Sequence, residues 1–93
     1  MTKLLDNVNA DETSDPVKFG GGSKVIVVRG DDFGGGTVNI EQRSSSDSGE
    51  RFATISSFIS NGTKILASVT PGLITRAVLT GATSPSNVFV ELI

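Results

Sequence analysis

The stretch from Thr37 to Phe52 constrains the fold most: it reads TVNIEQR, then SSSDSGE, then RF, which is a strand, a turn and the start of a second strand. Successive side chains of an extended chain point to opposite faces, so Val38 and Ile40 share one face while Thr37, Asn39, Glu41 and Arg43 share the other. That pattern is a half-buried strand, and Ser, Asp and Gly then turn the chain because Asp and Ser hydrogen-bond to nearby backbone and Gly tolerates positive φ. Composition carries the same grammar along the whole chain. Ser, Thr, Asn and Gly number 37 of the 93 residues, against 28 Val, Ile, Leu and Phe, a balance suited to short strands joined by tight turns.

Strand candidates follow one another closely. Lys24–Arg29 reads KVIVVR, apolar on both faces, so this strand is expected to be central and covered on both sides or half within an interface. GDDFGGG is a loop, Thr37–Arg43 a strand, and RFATISSFIS a strand in which Phe58 breaks the alternation and suggests a bulge. Asn61-Gly62 predicts a type I′ hairpin joining that strand to Lys64–Val69. Pro71-Gly72 predicts a further turn, of type II, before Ile74–Thr80 and the closing strand Asn87–Ile93. Val17 and Phe19 suggest a short first strand. The expected fold is all-β, a small antiparallel β-sandwich or barrel of about seven strands, with no helical period anywhere.

Residues 1–16 read as an extended N-terminal arm, and residues 17–93 as a single β-domain that begins just after Pro16. The arm is acidic and turn-rich, with Asp6, Asp11, Glu12 and Asp15 against Lys3 alone. Its apolar residues, Leu4, Leu5 and Val8, suit either a peg docking on a neighbouring subunit or part of a disordered tail. No apolar run approaches the roughly 20 residues of a membrane helix, and MTKLLDNVN is too polar for a signal peptide, so a soluble product made in the cytosol is expected.

Several chemistries lose their usual residues. The chain has no His and no Cys, which removes the commonest general base, the commonest metal ligand and any disulfide. Ser is abundant, but no SxxK motif offers a Lys base in place of His. The glycine clusters at 20–22 and 34–36 lack the GxxxxGK[ST] and GxGxxG spacings of phosphate loops and lead into strands. Asp31-Asp32 and Asp47 with Glu50 fall short of the ligand density of a calcium loop and read as solvated turns. Asn61-Gly62-Thr63 matches a glycosylation acceptor but is better explained by the turn. Scattered basic residues without Tyr or Trp give no platform for nucleic acid. The expectation is a non-enzymatic protein without cofactor or metal, and without nucleic-acid or membrane partners.

The closing strand SNVFVELI sets Val88, Val90 and Leu92 on one face and Phe89 and Ile93 on the other. With KVIVVR equally two-faced, homo-oligomerisation is expected, with Leu4, Leu5, Val8, Phe89 and Ile93 as interface candidates. Arg76, amid ITRAVL, is costly to bury unpaired, so it is expected to be a structural residue paired to a carboxylate on a neighbouring strand, Glu41 or Glu91.

The segments VNIEQRSSSDSGERF and PGLITRAVLTGA resemble small β-domain structural proteins of tailed bacteriophage particles, in which an S-D-G-aromatic stretch precedes G-x-x-R-A-x-x-x-G. Ser46, Asp47, Gly49 and Phe52 fill the first motif, and Gly72, Arg76, Ala77 and Gly81 the second. The sequence departs from the pattern at Phe52, where Trp is common and where two extra residues follow Gly49. The resemblance, over residues 24–93, implies a virion structural protein, foremost a capsid decoration (cement) protein binding the major capsid protein or another virion protein as an oligomer, by analogy a trimer. A neck, tail or fibre-base part would use the same residues. The expectation from another class is a glycan-binding β-sandwich, which the absence of exposed Trp and Tyr disfavours.

Overall fold

The computed structural model of the protein describes residues 2–18, 22–44, 51–69 and 72–93, with backbone alone at 2 and 66–69. Among these residues lie nine strands: β1 (Thr2–Val8), β2 (Glu12–Thr13), β3 (Val17–Lys18), β4 (Gly22–Arg29), β5 (Thr37–Ser44), β6 (Ala53–Phe58), β7 (Gly62–Val69), β8 (Leu73–Thr80) and β9 (Val88–Leu92). They form a β-sandwich of two antiparallel sheets. The first has the order β1-β9-β4-β7; the second has the order β2-β8-β5-β6, with β3 beside β2 on the same edge of β8.

The core lies where the period-2 pattern puts it. Val38 and Ile40 of β5 stand opposite Leu79 and Ala77 of β8, and all four are buried. Facing them from the other sheet are Ile26 and Val28 of β4 with Val88, Val90 and Leu92 of β9. Phe33, in the β4–β5 loop, is buried and closes one end. Gln42 continues the inward face of β5, and its Nε2 donates to the fully buried Thr75 hydroxyl at 3.0 Å.

The expected arm at 1–16 is corrected: this segment is part of the sandwich. β1 pairs with β9, and Leu4, Leu5 and Val8 are buried in the chain's own core, Leu5 completely, so they are not pegs for a neighbouring subunit. The physical reason is a pair of register shifts. Between Lys3 and Leu5, and again between Leu5 and Val8, β1 advances one residue more than β9, and Asn7 adopts a positive φ of 54° at the second shift. The chain then crosses to the second sheet, where β2 and β3 cover the edge of β8. Ser14 links the two short strands: its amide donates to the Ala77 carbonyl and its hydroxyl accepts from the Ala77 amide, each at 2.8 Å. A folded boundary at Pro16 therefore does not exist.

The Asn61-Gly62 hairpin is also corrected. β6 pairs with β5 and β7 with β4, so residues 59–61 carry the chain from one sheet to the other. Neither Asn61 nor Gly62 has positive φ; the amide of Asn61 serves another purpose, its Oδ1 accepting from the Gly30 amide at 2.9 Å. Gly62 is required for space, since a Cβ there would stand 2.8 Å from the Phe58 ring. A bulge does occur in β6, where the partners of Ile40 and Glu41 are Ser56 and Thr54 and Ile55 is the extra residue. Residues 45–50 of the SSSDSGE turn, Phe19 and Pro71 lie outside the described residues.

Candidate functional surfaces

Three surfaces emerge from this frame: a loop-bearing end and the outer faces of the two sheets. At the loop end, four connections cross between sheets: 9–11, 30–36, 59–61 and 81–87. They contain Asp11, Asp31 and Asp32 and no Lys or Arg, so this end is acidic. The loops are tied together by their own polar groups. Asp31 and Asp32 amides both donate to the Ser86 carbonyl, at 3.1 and 3.2 Å, and the Ser86 amide returns a bond to the Asp32 carbonyl at 2.8 Å. The Asp11 carboxylate accepts from the Gly81 and Ala82 amides at 3.1 and 2.9 Å, and Asn9 Oδ1 accepts from the Asn87 amide at 3.0 Å.

Asn87 Nδ2 in turn donates to Asp31 Oδ2 at 2.7 Å, and the Gly34 amide donates to Asp32 Oδ1, also at 2.7 Å. An open cleft of about 510 Å³ lies between these loops, lined among others by Asp31, Asp32, Ile59, Ser60 and Asn61. Asn61 and Asp31 each spend one polar atom on the loops, which fixes the orientation of the other. Among the described residues no group of three or more His, Cys, Asp and Glu side chains is placed to hold a metal ion.

The outer face of the first sheet is read directly from its register. Val25 stands opposite Ile65 on one side and exchanges backbone bonds with Ile93 on the other, making an apolar row of Ile65, Val25 and Ile93. Ile65 is 69% and Ile93 61% exposed, while Val25 between them is half-buried. The next row is Thr63, Val27, Glu91 and Lys3, and beyond it Arg29 stands opposite Phe89.

Arg29 reaches Glu91 Oε1 with Nη2 at 2.6 Å and Nε at 3.2 Å, and its Cζ lies 4.8 Å from the Phe89 ring centre. Lys3 Nζ approaches the same ring at 5.5 Å while pairing with Asp6 at 3.5 Å. Glu91 is buried although it points outward, because these two long side chains flank it. Of the expected interface residues, Ile93 is therefore presented to the outside and Phe89 is half-buried, with its ring already engaged by two cations.

The outer face of the second sheet repeats the device. Arg76 stands opposite Glu41, and Arg76 Nε donates to Glu41 Oε1 at 2.7 Å. The guanidinium Cζ lies 3.9 Å from the Phe52 ring centre, with Arg43 Cζ at 5.4 Å from the same ring. Of the two carboxylates considered for Arg76, Glu41 is the partner, and Glu91 lies in the other sheet. On the same face Ser57 donates to Asn39 Oδ1 at 2.7 Å, while the half-buried Ile74 and Val78 flank Arg76 along β8.

The Arg76 and Glu41 side chains are 31% and 17% exposed, between a surface pair and a buried one. Arg76→Ala is accordingly expected to destabilise the fold by about 1–3 kcal/mol, more than an exposed pair and less than a buried one, part of it lost Phe52 stacking. Urea denaturation checks the figure, and a change near zero would make Arg76 a surface charge only.

Sequence reasoning missed the Arg29–Glu91–Phe89 cluster, whose members are 62 and 2 residues apart and meet only through the β4–β9 register. No protein-family model, curated protein or solved structure matches the chain.

Proposed function

We propose that the chain is a non-enzymatic structural component of a tailed-phage particle, acting as a capsid decoration protein that adheres to the outside of the head in many copies. One observation carries the reading from the structural side: the outer face of the first sheet sets an apolar row, Ile65–Val25–Ile93, with both end residues exposed, near two ion pairs, Arg29–Glu91 and Lys3–Asp6. Such a face suits adhesion to another protein surface, since the apolar row gains from burial and the charges are oriented before contact. The resemblance of VNIEQRSSSDSGERF and PGLITRAVLTGA to phage β-domain structural proteins supports the particle, and a location on the head, neck or tail follows from which capsid or tail protein it meets.

The test is attachment. Purified protein added to heads stripped of accessory proteins is expected to bind at a saturating, stoichiometric number of copies, and Ile93→Asp to reduce that binding while leaving the fold intact. Saturation at a handful of copies would move the protein to the neck or tail.

A second reading, a glycan-binding module, is favoured by the loop-end cleft, where Asp31, Asp32, Ser60 and Asn61 place acceptors and donors around an opening flanked by the exposed Ile59. An array of host polysaccharides, with the Asp32→Ala variant as control, separates it from the first: selective binding lost in the variant would favour the module.

A further inference from the structure

We propose that β7 is the pairing edge of a two-fold dimer, in which the β7 strands of two copies run antiparallel with Ile65 opposite Ile65 of the second copy. The proposal deepens the adhesion reading by naming a partner, a second copy of this chain, and it requires no particle.

The backbone supplies the first part of the argument. β7 is the last strand of its sheet, with β4 on one side. Val25 exchanges both of its bonds with Ile93, its amide donating at 3.1 Å and its carbonyl accepting at 2.9 Å, so the Val25 peptide groups point at β9 and away from β7. In an antiparallel ladder, the residue opposite Val25 on β7 then belongs to a non-hydrogen-bonded pair and turns its own N–H and C=O outward. That residue is Ile65, and Thr63, opposite Val27, is placed likewise. The strand therefore offers a row of donors and acceptors with the spacing that another strand matches.

Side chains select the register. A two-fold axis through position 64 would put Lys64 directly opposite Lys64 of the second copy, a like-charge pair that opposes association. An axis through position 65 instead places Lys64 opposite position 66 and brings the two Ile65 side chains together. The apolar row then runs unbroken across the joint as Ile93, Val25 and Ile65 of one copy followed by Ile65, Val25 and Ile93 of the other. Two Ile65 side chains, each 69% exposed in the single chain, become mutually covered. β7 has no Pro, and the devices it does carry against pairing, an inward-facing Lys64 on the side of Ile26 and a register shift between positions 66 and 69, leave the outer face at Ile65 free. The symmetry closes, so the interface does not propagate into a filament.

Sedimentation velocity on the full chain at micromolar concentration reads the result. A dimer is expected, and Ile65→Lys, which sets two lysines face to face at an exposed position, is expected to weaken it by about tenfold or more. Thr63→Pro removes an outward-pointing N–H that the folded chain does not use within its own sheet, and is expected to weaken the dimer while circular dichroism remains that of the parent. A monomer at tens of micromolar, a trimer, or a dimer indifferent to both variants overturns the proposal. A monomer that nevertheless saturates phage heads would overturn the dimer and leave the decoration reading standing.

Discussion

Leu5→Ala is expected to cost about 2–5 kcal/mol, the range for deleting a fully buried Leu side chain, and removal of residues 1–8 is expected to leave a chain that does not fold. Leu5 is completely buried, opposite Val90, and its neighbours Leu4 and Val8 are buried with it. A domain of 93 residues has a thin margin, since net stabilities run to about 5–15 kcal/mol. Losing β1 would remove three core side chains and expose the edge of β9 at once. Guanidinium denaturation of Leu5→Ala and circular dichroism of the truncated chain check the two statements. A truncated chain that keeps a cooperative transition and parent spectrum would restore the picture of residues 1–16 as an arm.

The second large effect is expected at Gly34, in the loop that pairs with residues 81–87. Its φ is +61°, where a side chain is strained, and a Cβ there would run into the Thr83 backbone, whose amide donates to the Gly34 carbonyl at 2.9 Å. Gly34→Val adds backbone strain of about 1–3 kcal/mol to a steric cost of similar size, so a total of about 2–5 kcal/mol is expected. Because β-branched residues tolerate positive φ least, Gly34→Asn is expected to cost less than Gly34→Val, although it meets the same carbonyl. Thermal melts of the two variants read the difference. Equal melting temperatures in both variants and the parent would mean that the loop end is held by something other than the 34–83 contact.

How much of this was legible in the sequence depends on whether local period survives in three dimensions. β5 did: Val38 and Ile40 alternate with polar residues and are buried, and Thr37–Ser44 pairs without a shift along β8. β4 was legible as an interior strand because Val25 to Val28 are apolar on both faces, and it sits between β9 and β7. β1 was not, because its two register shifts put Leu4, Leu5 and Val8 on no common period, and the surrounding Asp and Asn residues look like a tail. Asn61-Gly62 misled for a different reason. The dipeptide favours a hairpin locally, but the strands on either side find better partners in β5 and β4, and tertiary pairing decides.

The surfaces divide in the same way. Arg76 was identified as a paired residue because an Arg inside an apolar strand needs a partner, and cross-strand neighbours limit the choice. The Arg29–Glu91 pair lacked that signal: Arg29 closes a strand next to a glycine and looks like an ordinary strand-end charge. Only the β4–β9 register brings it over Phe89. Ile93 was legible as outward-facing by alternation from Leu92, whereas Phe89 shares that face but is spoken for by two cations.

The central claim, many-copy attachment to the outside of a phage head, is tested most directly by counting. Quantitative peptide measurement on purified virions, with the major capsid protein as internal standard, is expected to give a copy number comparable to that protein. A handful of copies per particle, or absence from the particle, would contradict it.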